Sequence, residues 1–417
     1  MIGFIIIALF CFLIKQIGKN KAFTIFFFYS LLDKGLSLGG PLSVKDVVFV
    51  IFLIILFDGR DSRKDKYPFF FCSLLSVVSY LISACVASEP HWPFTILKCT
   101  RYFLLPLCFY YYVIRNNIIS YFVKYLLYFS FFIIIYSLIE LYLGTSPIVN
   151  FINDYNGGGS NMDETFRYGV KRIQAVFKHS TALGYYCATV VAFLLLFVNE
   201  QVRSLSKVSN LCYWFVIIGL TIIAFLTGTR SAIIPVVFVL LWYSKNKILN
   251  INYLIFYIVT STALFFVAQF YLSDYLNNVL ESILNTNDNA VGSSTDMRQV
   301  QFEIAFFYFM KSPIWGNGTS YTFDEVTPIN PEMYGAESVW MPLMIDNGIV
   351  GCIAYLSCYI YCIKHIMQSD KKIDSLFLLG LLLFINTATS VPGFDVSYIF
   401  ILTLCCVALQ KYTINRC

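Results

Sequence analysis

The sequence predicts an all-α polytopic membrane protein, and three observations carry that expectation. Of 417 residues, 58% are apolar and only 13% are charged, with a mean hydropathy of +0.71. A soluble domain carries about a quarter charged residues, so this balance describes a chain whose solvent is lipid. Aromatic residues reach 18%, with 41 Phe and 30 Tyr, unlike collagenous, coiled-coil or disordered chains. The apolar residues also form runs long enough to enter a bilayer. A cytosolic enzyme, a DNA-binding module and a small secreted scaffold do not fit these numbers.

A bilayer core of roughly 30 Å needs about 20 apolar helical residues. Candidate runs fall near 2–14, 22–32, 45–57, 67–87, 94–114, 121–143, 182–198, 211–227, 231–244, 251–270, 338–363, 375–390 and 396–411. They predict about 11–14 spans in one integral membrane domain over residues 1–417. Lys15, Lys19 and Lys21 follow the first run, which lacks a small-residue cleavage site. It therefore reads as a retained helix rather than a signal peptide.

Basic residues set the orientation. Loops near 15–21, 58–66, 115, 199–210, 245–250, 364–374 and the C-terminus hold 17 Lys/Arg, whereas the opposite, longer set holds nine. The first set is expected to be cytoplasmic, and two long loops at about 144–181 and 269–337 are expected to be exported. In a Gram-negative source that side is the periplasm. The first loop contains an N-G-G-G-S turn. In the second, Val300, Ile304, Phe307 and Met310 recur at helical spacing, which predicts a helix along the membrane surface.

The net charge of +5 resides largely in those short basic clusters, and DNA-binding motifs are absent, so no nucleic-acid partner is expected. Membrane lipids are. Thirteen cysteines sit mostly inside apolar runs and none lies in the long loops, so no disulfide framework is implied. The three histidines, His91, His179 and His365, are far apart, and no His or Cys pair has ligand spacing on a polar segment. No bound metal or cofactor is expected.

Charges at the edge of lipid need explaining, because each costs several kcal/mol unless paired or wet. Arg172 immediately precedes an apolar run in VKRIQAVFKHSTALG, and Arg230 sits in the tight turn FLTGTRSAIIPV. Arg298 opens the amphipathic stretch, and Arg101 lies inside an apolar run with Lys98 one turn earlier. Guanidinium forks at one membrane surface suit a pyrophosphate, since they bind its oxygens bidentately and keep their charge. The alternative for Arg298 is snorkelling to lipid head groups. For Arg101 and Lys98 it is pairing with Glu140 or Glu89, or contact with a lipid phosphate. The turn bearing Arg230 is otherwise uncharged, which favours a functional role there.

Among carboxylates, Glu337 lies where the second loop re-enters the membrane, with Asp346 further along the same run. Glu140 lies in an apolar run, and Asp395 sits in the last exported turn. An edge carboxylate can accept a proton from a sugar hydroxyl, or cap the helix beginning near Ser338. His179 either meets a head group or caps the next span. Tyr155, Trp315, Tyr321, Tyr334 and Trp340 either stack on sugars or form an interfacial belt.

Four motifs occur in a fixed order: RIQAVFKHSTALGYY, TGTRSA, RQVQFEIAFFYFMKSPIWGNG and ESVWMPLMIDNGIVGCIAYL. In that order they resemble the O-antigen ligase/polymerase superfamily, and the whole chain resembles a Wzy-type O-antigen polymerase. The resemblance covers about residues 165–365 by motif and the rest by hydropathy. It implies a GT-C-like membrane glycosyltransferase of the bacterial inner membrane, inverting and metal-independent, with its site facing the periplasm. The implied partner is an undecaprenyl-pyrophosphate-linked oligosaccharide, with a polysaccharide chain-length regulator as a further partner. By matching position, Arg172, Arg230 and Arg298 would bind the pyrophosphate, with Arg101, His179 and Asp395 as further substrate contacts. The ligases of the superfamily carry a histidine near the start of the helix after the long loop. Here Glu337 and Ser338 stand there, and no histidine lies between His179 and His365. That departure favours the polymerase over the ligase that transfers glycan to lipid A-core, and makes Glu337 the candidate base. A flippase for lipid-linked oligosaccharide is the rival from another class. Such proteins often show two related halves, and this sequence shows no duplication.

Overall fold

A computed structural model describes residues 2–18, 70–87, 92–99, 119–155, 166–167, 170–177, 179–198, 207–248, 295–333, 336, 338–367 and 371–388, with short pieces between 21 and 51. Helices dominate, as the apolar runs require when backbone groups must be satisfied within their own segment. They are α1 (Ile2–Ile17), α2 (Phe70–Val86), α3 (Trp92–Cys99), α4 (Ile119–Leu143) and α5 (Pro147–Tyr155). Next come α6 (Ser180–Phe193), α7 (Lys207–Leu226), α8 (Arg230–Ile248), α9 (Thr295–Phe309), α10 (Trp340–Ile366) and α11 (Lys372–Thr387). Two small antiparallel ladders accompany them: β1 (Ser37–Gly39) with β2 (Leu42–Ser43), and β3 (Phe166–Arg167) with β4 (Val170–Lys171).

Among the described residues, Phe122–Leu143, Ser180–Val198 and Trp340–Lys364 are long and apolar enough to cross a membrane. Phe70–Val86, Asn210–Leu226 and Ser231–Lys245 are shorter apolar helices. The chain is an all-α polytopic membrane protein. The predicted runs at 251–270 and 396–411, and most of those at 22–32, 45–57 and 94–114, lie outside the described residues.

The chain folds as two units. A terminal unit comprises Met1–Phe129, Ile152–Ser160 and Asp296–Cys417; a central unit comprises Ser130–Phe151 and Asn161–Thr295. In the terminal unit α10 packs chiefly on α2 and also on α11. A second cluster joins Ala305 and Tyr308 of α9 to Val326, Met333, Ala336, Met341 and Ile345. In the central unit α6 is held between α7 and α8. Nearly every α6 side chain is buried, as befits a helix covered by protein on all sides. Beyond Phe193 the helix widens into a π-turn, Leu194–Val198, and Tyr213 Oη donates to the Leu194 carbonyl at 2.7 Å.

The helix predicted from Val300, Ile304, Phe307 and Met310 is present as α9. Its buried residues are Gln301, Ala305 and Tyr308, whereas Val300, Phe307 and Met310 are exposed. Ile304, the fourth residue of the predicted row, is partly buried and packs against the cluster.

Candidate functional site

The Thr227–Arg230 turn is built by local backbone bonds. Thr227 N donates to Ile223 O and Gly228 N to Phe225 O, both at 3.0 Å, closing α7. Ala232 N and Ile233 N donate to Thr229 O at 3.0 Å, opening α8 at Arg230. Arg172 arrives from the preceding segment and grips this turn. Its Nε donates to Thr227 O at 2.8 Å and its Nη2 to Thr229 Oγ1 at 2.7 Å. Two parallel bonds from one planar fork fix position and orientation together.

The L-G of HSTALG also acts here. A Cβ on Gly184 would stand 2.8 Å from Ala232 Cβ and 3.0 Å from Thr227 Oγ1. Only glycine lets α6 lie this close to the turn. One residue on, Tyr185 Oη lies 2.6 Å from Ser231 Oγ. His179 is the N-cap of α6: its Nδ1 accepts from Thr181 N at 3.4 Å and lies 3.0 Å from Thr181 Oγ1. The second turn of α6 therefore packs against the turn and the first residues of α8, and Arg172 bonds to that same turn. Unpaired N–H groups and the positive dipole end make helix N-termini favourable for phosphate.

In the terminal unit, the PIWGNG segment enters a break in α10. Gly348 has φ 62°, and a Cβ there would lie 2.5 Å from Ile314 O. Beyond the break, Ile349 N donates to Pro313 O at 2.9 Å and Val350 N to Ile314 O at 3.2 Å. Before it, Ile345 O accepts from Asn317 N at 2.9 Å and from Asn317 Nδ2 at 3.0 Å. Asp346 O accepts from Gly318 N at 3.2 Å and from Ser83 Oγ. The inserted segment thus replaces the interrupted helix ladder bond by bond.

Asp346 is the anchor of this knot. Its carboxylate accepts from Ser320 N at 3.0 Å, Thr322 N at 2.8 Å and Thr322 Oγ1 at 2.6 Å, and the residue is 5% exposed. In the sequence it stands further along the apolar run that follows Glu337; the structure gives it a structural task. Ser338 supplies a capping oxygen to α10, since Trp340 N donates to Ser338 Oγ at 3.4 Å. Nearby, burial first, then Tyr308 and Glu325, raises the Tyr321 phenol above its ordinary value.

Of the predicted site residues, Arg172 meets the turn that carries Arg230, while His179 caps α6. Arg298 lies exposed on the first turns of α9, in the other unit. Glu337, Arg101 and Asp395 lie outside the described residues, as does the Arg230 side chain. Sequence reasoning missed the task of Glu140, whose carboxylate accepts from Ala175 N at 2.7 Å and Gln174 N at 3.4 Å. The available signal was its place in an apolar run, which demands partners nearby in space.

Residues 214–356 match a family model, Wzy_C, described as O-antigen ligase. The match supports the O-antigen ligase/polymerase superfamily. It spans the Thr227–Arg230 turn, Arg298 and the α10 break, and begins downstream of Arg172. It supports a membrane enzyme of glycosyltransferase type without separating polymerase from ligase. Comparison with curated proteins gives no match.

Proposed function

We propose that the protein is an O-antigen polymerase. It joins undecaprenyl-pyrophosphate-linked repeat units at the periplasmic face of the bacterial inner membrane by inverting, metal-independent glycosyl transfer. The observation that carries this reading is the Arg172 grip on the Thr227–Arg230 turn, which opens α8 and packs against α6. That arrangement sets a guanidinium beside the positive dipole end of α8. The absence of a histidine between His179 and His365 favours polymerase over ligase.

In the proposed reaction a sugar hydroxyl of one lipid-linked repeat unit attacks the anomeric carbon of a chain held on undecaprenyl pyrophosphate. The new glycosidic bond forms as the anomeric carbon–phosphate oxygen bond breaks, and that bond's electron pair leaves with the pyrophosphate. The hydroxyl proton passes to a base, for which Glu337 is the candidate. The arginine turn stabilises charge developing on the leaving group, and the bound lipid supplies orientation. The roles of Glu337 and of Arg298 as a further phosphate ligand rest on motif order alone.

The Arg230→Ala variant tests this reading through the surface glycan ladder. Loss of polymerisation leaves a single repeat unit on the lipid A-core, whereas loss of ligation leaves none. An unchanged ladder overturns the assignment of Arg230.

A further inference from the structure

Glu140 sits in α4, 1% exposed, where a carboxylate is costly unless its hydrogen bonds are met. Two backbone amides are among its partners: Oε2 accepts from Ala175 N at 2.7 Å and Oε1 from Gln174 N at 3.4 Å. The other side of Ala175 is also held, because Ser146 Oγ donates to Ala175 O at 3.2 Å. Ser146 Oγ lies 3.2 Å from Tyr136 Oη, which accepts from Ile148 N at 2.8 Å. Ala175 is fully buried with φ 49°, a left-handed conformation that alanine adopts only under constraint. The Gln174 side-chain amide finds no partner among the described residues, so backbone groups do the fastening.

Two residues before this bend stands Arg172, whose fork holds the Thr227–Thr229 turn. We propose that Glu140 is a positioning residue for Arg172. By holding Gln174–Ala175 in the left-handed bend, it fixes where the Arg172 side chain leaves the chain and hence where the turn sits. A carboxylate suits the task because it accepts at both oxygens. A glutamine there would turn an N–H₂ donor toward one backbone N–H. This inference deepens the pyrophosphate reading and rests on it for its functional consequence.

The test uses the full-length protein in lipid nanodiscs and two readouts. Hydrogen exchange of the Thr227–Ala232 amides reports the position of the turn without ligand. Binding of undecaprenyl pyrophosphate reports the consequence. Glu140→Gln is expected to expose those amides to faster exchange and to weaken binding about tenfold. Adding Glu140→Gln to Arg172→Ala is expected to weaken binding no further, because both act through one contact. Adding Ala175→Gly to Glu140→Gln is expected to restore protection and most of the binding, since glycine takes the bend unaided. Ser146→Ala, a milder change, is expected to shift both readouts in the same direction by a smaller factor.

Unchanged exchange in Glu140→Gln, independent losses in the double variant, or no rescue by Ala175→Gly overturns the positioning role. If exchange responds as expected while Arg172→Ala and Arg230→Ala bind the probe like wild type, the positioning role stands and the pyrophosphate reading falls.

Discussion

The two units solve the same local problem with opposite charges. In each, a glycine-bearing turn must lie against a helix. The central unit uses a cation reaching inward: Arg172, half-buried, holds Thr227 and Thr229 while Gly184 opens the space. The terminal unit uses an anion: Asp346 collects Ser320 and Thr322 while Gly348 opens the helix. The difference lies in where the charge is met. Asp346 receives three donors from the segment it anchors and is almost fully enclosed. Arg172 is less enclosed and bonds at the start of α8, where the positive dipole end favours an anion. A charge enclosed by its own fold is architecture, and one at a helix N-terminus can serve a ligand.

The largest expected effect comes from the enclosed charge. Asp346→Asn keeps the shape but sets an N–H₂ donor against backbone N–H groups. Leaving such donors unmet is expected to cost about 3 kcal/mol. Thermal unfolding in detergent should show a clear drop in midpoint, together with less protein in the membrane. A wild-type midpoint would show that the knot holds without its anchor.

A smaller effect is expected in the central unit. Gly184→Ala places a methyl group 2.8 Å from Ala232 Cβ, and overpacking of this kind costs about 1–3 kcal/mol. Because the contact lies at the arginine turn, activity should fall more than stability does. Surface-glycan length and the unfolding midpoint, measured on the same variant, separate the two. If the midpoint falls while glycan length holds, the turn is not tied to function through Gly184.

Much of this architecture was legible in the apolar runs. The runs at 121–143, 182–198 and 338–363 correspond to α4, α6 with its π-turn, and α10. TGTR was readable as a tight turn because glycine and two threonines interrupt a long apolar stretch. The break in α10 was not readable. Its carbonyls and amides are satisfied by a segment some thirty residues earlier in the chain (Pro313, Ile314, Asn317 and Gly318), and no local pattern announces such a partner. The same distance hid the tasks of Asp346 and Glu140. In both cases the sequence showed a carboxylate at or within lipid, whereas its purpose depended on which backbone amides tertiary structure carried to it. Arg172 was legible as an exceptional charge, but its grip on the turn required the fold.

The most direct test of the central claim is the steady-state rate of purified enzyme on a lipid-linked repeat unit, comparing wild type with Arg172→Lys. Lysine keeps the positive charge but loses the planar fork that reaches Thr227 and Thr229 together. If the gripped turn is the pyrophosphate site, kcat/KM should fall about 100-fold, roughly 2.7 kcal/mol of transition-state stabilisation, with the unfolding midpoint preserved. Wild-type kcat/KM in the lysine variant would contradict the account.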